Sequence, residues 1–332
     1  MQLKGTLEQT IIMEKNVKKM KKITLYFLGF FIVHISAANA NKQNNPIDNP
    51  SKQKYFLLDL DAKSNPEYKL AHVELNASKL YEVDKKIELF NLLTKNGNLI
   101  LFSVLPSKIS DNIWKEIDPA SLKDKIMDWN QLKAFRIEAT RAYSSSCKDL
   151  YEHVKRNDIN LVKKENGKYF RSSSCITEFF SVENKPRMFT SQNDIASINI
   201  YSPAVALKDF DSRYKELYYE PSPNYHDLPN ILKFPMDKPL LFLSGTSTID
   251  SRKAYHFWGF MDWGISDSPN YRRGIDRFIF IPELGIVGGS FDFFFDNLLD
   301  KSRKKENYLN ENVMQPITIN GKKVSYHLKT TN

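Results

Sequence analysis

The sequence predicts an α+β fold, rich in antiparallel β-hairpins, with a few amphipathic helices packed on the sheets and one disulfide. Three observations predict it. Asn-Gly dipeptides stand between apolar runs at Asn96-Gly97, Asn166-Gly167 and Asn320-Gly321. Such a pair is the favoured centre of a two-residue hairpin turn, because both positions need positive φ. The chain also holds 22 Phe and 16 Tyr, side chains that suit pleated surfaces. Its only cysteines, Cys147 and Cys175, each follow a Ser-Ser-Ser triplet.

Taken in order, residues 1–40 read as a secretory signal peptide. Lys21 and Lys22 precede the apolar run Ile23 to Ile35, and Ala38-Asn39-Ala40 supplies small residues for cleavage. The run carries Thr24, Tyr26 and His34 and is shorter than the roughly 20 apolar residues of a membrane span. Translation can start at Met1, Met13 or Met20. Residues 41–54 form a polar, Asn-Pro-containing leader. Tyr55 to Asp61 and Leu70 to Leu75 then read as a hairpin across the turn-like Lys63-Ser64-Asn65-Pro66. Asn96-Gly97 joins Ile87–Leu93 to Leu99–Leu105, and Asp118-Pro119 opens a helix running toward Trp129. A second helix over Lys148 to Arg156 would bury Cys147, Leu150, Tyr151 and Val154 and present Cys147 to the Asn166-Gly167 hairpin (Ile159–Lys163 with Lys168–Ser172), which leads to Cys175. The expected Cys147–Cys175 bond would clamp helix to sheet.

A weak boundary near 185–190 divides an N-terminal α+β section, 55–185, from a β-rich section, 190–332; a single continuous domain fits nearly as well. The second section contains strands at Leu240–Ser244, Tyr255–Met261, Phe278–Ile281 and Gly285–Val287. Its helix, 290–305, repeats Phe291, Phe294, Phe295, Leu298 and Leu299 on one face, with acids early and Lys301, Arg303, Lys304 and Lys305 late. The Asn320-Gly321 hairpin, Ile317–Ile319 with Lys323–His327, closes it.

Charge and compartment bound the function. Residues 1–40 hold six of the 48 bases and two of the 39 acids, so from Asn41 onward 42 and 37 remain and the net charge falls from +9 to +5. The remaining bases are spread along the chain, which argues against a nucleic-acid footprint. Export points to a soluble periplasmic or secreted product without stable membrane insertion once the signal is cleaved.

Candidate chemistry is sparse. His72, His153, His226, His256 and His327 never pair at i, i+2 or i, i+4, so no metal site and no cofactor is assigned. Leu243-Ser244-Gly245-Thr246-Ser247 resembles a nucleophile elbow but lacks its flanking glycine and a following helix, and reads as a turn. A Cys147 nucleophile with His153 as base fails because six residues along a helix turn the two side chains apart. Asp59 and Asp61 share a strand face, and Asp262, Asp267 and Asp276 lie together in sequence; a solvated sheet face accounts for the first pair. Gly285, Gly288 and Gly289 make a strand-to-helix turn rather than a phosphate cradle. No catalytic residue is assigned.

Aromatic and charged residues alternate between Phe257 and Phe280. Trp258, Trp263, Tyr271, Arg272, Arg273 and Arg277 form the candidate binding surface, since Trp, Tyr and Arg dominate binding hot spots. The sequence therefore favours binding over catalysis. It points to an exported protein acting by protein–protein recognition, in the manner of an immunity or inhibitor protein that neutralises an envelope-acting enzyme or toxin, with another envelope or secreted protein as partner. The alternatives are an envelope hydrolase whose carboxylates and histidines converge only in the fold, and a small-ligand carrier.

Overall fold

The computed structural model describes residues 54–62, 64–107, 113–142, 155–156, 159–183, 197–206, 209, 240–260, 274–275, 277–292, 294–295 and 311–324. The expected signal peptide, residues 41–53 of the expected leader, the 148–154 part of the second expected helix and the 296–305 part of the last lie outside them, and Lys54 of the leader begins the first strand. Residues 51–332 make up one compact unit. Seventeen strands, numbered along the chain, and two α-helices are found among the described residues. The fold is thus predominantly β, which corrects the α+β expectation.

The strands form three sheets, and the order of layers explains the composition. Sheet B, in the middle, runs β11 (Ser197–Asn199), β10 (Cys175–Glu183), β4 (Asn98–Val104), β3 (Lys86–Thr94), β2 (Tyr68–Asn76), β16 (Pro316–Ile319), β17 (Lys322–Lys323), while β7 (Lys155–Arg156) also pairs with β10. Within β3, Ile87 and Leu89 point into one core and Phe90 and Leu92 into another; Leu99 and Leu101 of β4 alternate with Ile100 and Phe102 in the same way. Both faces of the sheet are covered. Its strands therefore read as continuous apolar runs rather than the alternating pattern of a half-wet antiparallel sheet.

On one face lies sheet A, ordered β5 (Trp114–Glu116), β9 (Lys168–Ser172), β8 (Ile159–Glu165), β1 (Lys54–Asp59), β6 (Ile126–Met127). Phe56 of β1 stacks on Phe102 of β4 with ring centres 5.6 Å apart. On the other lies sheet C, the antiparallel meander β12 (Leu240–Ile249), β13 (Arg252–Phe260), β14 (Arg277–Ile281), β15 (Gly285–Gly289). Phe278 of β14 meets Phe180 of β10 edge to face at 5.7 Å.

Two buried polar groups tie the layers. Thr177 Oγ1 donates to Ile159 O at 3.2 Å, joining sheet B to sheet A. Asn91, fully buried, acts as a fragment of strand toward sheet C: its Nδ2 donates to Ile286 O (2.9 Å) and its Oδ1 accepts from Ile286 N (2.8 Å). Gly285 lets the amide come so close. At φ +82° any Cβ there would stand 2.5 Å from Asn91 Oδ1.

Several expectations are corrected in detail. Tyr55–Asp61 and Leu70–Leu75 do not form a hairpin: β1 sits in sheet A, parallel to β6 and β8, while β2 lies in sheet B. The helix expected to run from Asp118 to Trp129 is a 3₁₀ turn, Pro119–Leu122, capped by Asp118, then β6; the helix proper, Trp129–Ala142, begins where the other was to end. Asp128 and Gln131 cap it reciprocally, each side chain accepting the other's backbone N–H at 2.8 and 2.9 Å. Lys155–Arg156, assigned to a helix, is strand β7. Finally, Cys175 is a free thiol within the core between sheets A and B, and no disulfide is found among the described residues. Cys147 lies outside them.

Candidate functional site

The sequence-derived binding surface divides on the structure. Trp258 is 1% exposed, stacks on Phe242 at 4.5 Å and donates its indole N–H to Val205 O at 3.0 Å. Arg277 is 2% exposed and pairs with Asp292 at 2.7 Å. Tyr81 completes that network, donating to Asp292 Oδ1 (2.9 Å) and accepting from Phe291 N (2.6 Å). Both Trp258 and Arg277 are thus part of the interior. Trp263, Tyr271, Arg272 and Arg273 lie outside the described residues, as do His153, His226, His327, Asp262, Asp267 and Asp276.

The Asp59/Asp61 pair is spent on local structure. Asp59 binds Lys164 Nζ at 3.1 Å and the Asp61 N–H, and the Lys164 bond holds its carboxyl below the ordinary value. Asp61 accepts from Asn166 N at the β8–β9 turn. The two carboxylates fasten the end of β1 to its neighbour.

Where β1 ends, β2 begins, β3 turns and β14 meets β15, all three sheets contribute to one open cleft of about 720 Å³. Leu57, Tyr68, Leu70 and Leu93 give it an apolar floor; Lys69, Lys95, Asp59 and Glu283 give it charge. Among the described residues no carboxylate pairs with Lys69 or Lys95. The cleft continues past Pro66 and Thr94 into a smaller hollow of about 330 Å³, walled by Trp129, Lys133, Asn96 and Asn98. Its wall is braced: Tyr68 and Trp129 rings lie 4.8 Å apart, and Lys133 reaches Glu67 at 3.8 Å. The Trp129 indole N–H, shielded from water, has no acceptor among the described residues. Burial, helped by the Asp59 charge, raises the Tyr68 phenol above its ordinary pKa, so it remains a neutral donor.

Two histidines have side-chain partners. His72 Nε2 lies 2.7 Å from Glu88 Oε2, Trp114 Nε1 donates to Glu88 Oε1 at 2.6 Å, and Lys163 lies 4.6 Å above the Trp114 ring. On sheet C, His256 Nε2 lies 2.7 Å from Ser247 Oγ. Sequence spacing concealed both pairs, because each spans two strands. No group of three potential ligands suited to a metal ion occurs among the described residues. No helix there is long and apolar enough to cross a membrane.

Comparison with protein-family models, curated proteins and solved structures gives no match for this chain. Function is therefore argued from the residues themselves.

Proposed function

We propose that the chain is an exported protein that works by recognising another envelope or secreted protein, as immunity and inhibitor proteins do, and that the cleft at the ends of the three sheets receives a projecting segment of that partner. The cleft carries this reading. Its floor is apolar, its rim holds two lysines without carboxylate partners among the described residues, and it runs on into an adjoining hollow beside Trp129. Sites for small molecules enclose most of the ligand, whereas this cleft is only about half enclosed, which suits a loop or chain end. Its walls stand on a close ring pair, Tyr68 and Trp129, and on paired strands, so little ordering is needed on binding.

The test is to isolate the mature protein from the envelope with what remains attached, then repeat with Lys69→Glu/Lys95→Glu. The expected result is one dominant partner, cross-linked near residues 64–70 or 94–98, whose recovery falls at least tenfold in the double variant. An undiminished yield with cross-links elsewhere overturns the cleft as the contact. Charge reversal in the 257–280 segment belongs at Arg272 and Arg273 only, because Arg277 is buried in its ion pair.

A further inference from the structure

The hairpin of β12 and β13 carries a feature that recognition does not use. Its turn, Asp250-Ser251, brings Ser247 opposite Ala254 and Gly245 opposite His256, so Gly245, Ser247 and His256 project from the same face of the sheet. Across that face Ser247 Oγ and His256 Nε2 are 2.7 Å apart, a full hydrogen bond. With the ring proton on Nδ1, the serine donates and the imidazole accepts. Beside the ring is room: no described atom lies within 4 Å of where a Cβ on Gly245 would stand. The ladder is broken here, the register slipping between Leu243 and Gly245, and such bulges commonly re-aim side chains at sites of chemistry. The bulged residue helps to fix the base, since Ser244 Oγ donates to His256 O at 3.3 Å.

From this arrangement we infer that Ser247 is a nucleophile toward carboxylic esters, with His256 as its general base and the acyl group entering the open space over Gly245. In the first step Oγ bonds to the ester carbonyl carbon as its proton passes to Nε2. The carbon–alkoxide bond then breaks and the departing alkoxide takes that proton, leaving an acyl-serine. Water repeats the sequence: it gives a proton to Nε2 while its oxygen attacks, the carbon–Oγ bond breaks and Oγ recovers the proton. Ester and water become acid and alcohol, with no oxidant, reductant or further reactant. Burial lowers the His256 pKa and the Glu311 carboxylate, the charged group among the described residues that acts on it, opposes this; the ring stays neutral and ready to accept at neutral pH.

The experiment treats the purified full-length mature protein with an alkyl fluorophosphonate and maps the adduct by mass spectrometry, with p-nitrophenyl acetate turnover read in parallel. The expected adduct is on Ser247. His256→Gln slows labelling about 100-fold or more, the usual scale of general-base assistance. Gly245→Val, which fills the gap without altering either reacting atom, slows it with the thermal melt preserved. No adduct on Ser247 in the folded wild type, or labelling indifferent to His256→Gln, overturns the inference. Should a variant fail to fold, the wild-type pH profile decides: labelling that rises through an imidazole ionisation below pH 6.5 supports it, and a flat profile overturns it. Labelling of Ser247 and capture of a partner are read separately on the wild type, so failure here and failure of the recognition reading are told apart.

Discussion

Glu88 keeps its charge between sheets A and B because His72 Nε2 and Trp114 Nε1 reach its two oxygens and Lys163 stands nearby. Burial pushes its carboxyl up, but those partners outweigh burial and hold it below the ordinary value. With the folded value lower than the unfolded one, its contribution to stability is present above about pH 4.5 and is lost as the pH falls through the folded value. Glu88→Gln should therefore cost about 2 kcal/mol at pH 7. Thermal melts should show that difference shrinking below pH 4; a pH-independent difference would mean the charge contributes nothing. Cys175 is the other telling residue. Burial pushes its thiol up to about 12, so it stays protonated and unreactive in the fold. Iodoacetamide should spare Cys175 in the native protein and modify it after denaturation without any reductant. If modification required reductant, Cys175 would be in a disulfide after all. A free Cys175 also means that export must be judged on residues 1–40 alone, without a disulfide to support it.

At the level of elements, local chemistry was readable where it was local. The pairs Asn166-Gly167 and Asn320-Gly321 do make two-residue turns, with positive φ at all four residues. Asn96-Gly97 belongs to a three-residue loop, Lys95-Asn96-Gly97, in which Gly97 has positive φ and Thr94 holds both Gly97 N and Asn98 N. The helix start is marked by the cap at Asp128-x-x-Gln131, a signal the sequence reading missed, whereas Asp118-Pro119, expected to open a helix, caps a single 3₁₀ turn. Asp250-Ser251 adopts positive φ at both positions without a glycine, so nothing in the sequence announces the turn that sets Ser247 against His256. The cleft was equally hidden, since its residues come from positions 57–70, 93–95 and 282–283 and meet only when three sheets are stacked. Asn91 is a polar residue within an apolar strand, and it stitches β3 to β15. Asn91→Ala should destabilise by about 2–4 kcal/mol by chemical denaturation, because it strands both the N–H and the C=O of Ile286 in the core. A loss under 1 kcal/mol would show that the sheets hold together without it.

Across the whole molecule, layering decided what composition could reveal. A central, mostly antiparallel sheet covered on both faces needs apolar residues at successive positions, as in Leu99 to Phe102, and that pattern carries no period of two. The abundance of aromatics agrees with the sheets, and among the described residues two α-helices accompany the three layers. Because the two cores share one sheet, neither outer sheet can leave without exposing a face of β3 and β4. Amide exchange should be slowest along those two strands, with protection approaching that of global unfolding, and denaturation should be a single transition. Faster exchange in β3 than in β14 would place the most stable unit elsewhere.

One pairing sets the order of assembly. β16 docks on β2, where Asn320 takes the place of a strand residue by accepting from His72 N (2.9 Å) while its own N–H meets His72 O (2.7 Å), 248 positions apart in the chain. Until residues 316–320 have been delivered, whether by the ribosome or by a translocation pore, β2 presents a bare backbone rim able to template foreign strands. Lys322 and Lys323 then line the new boundary with charge. That rim must accordingly be shielded while the more than two hundred residues between the two strands are added, and the short segment at 316–320 is what finally covers it.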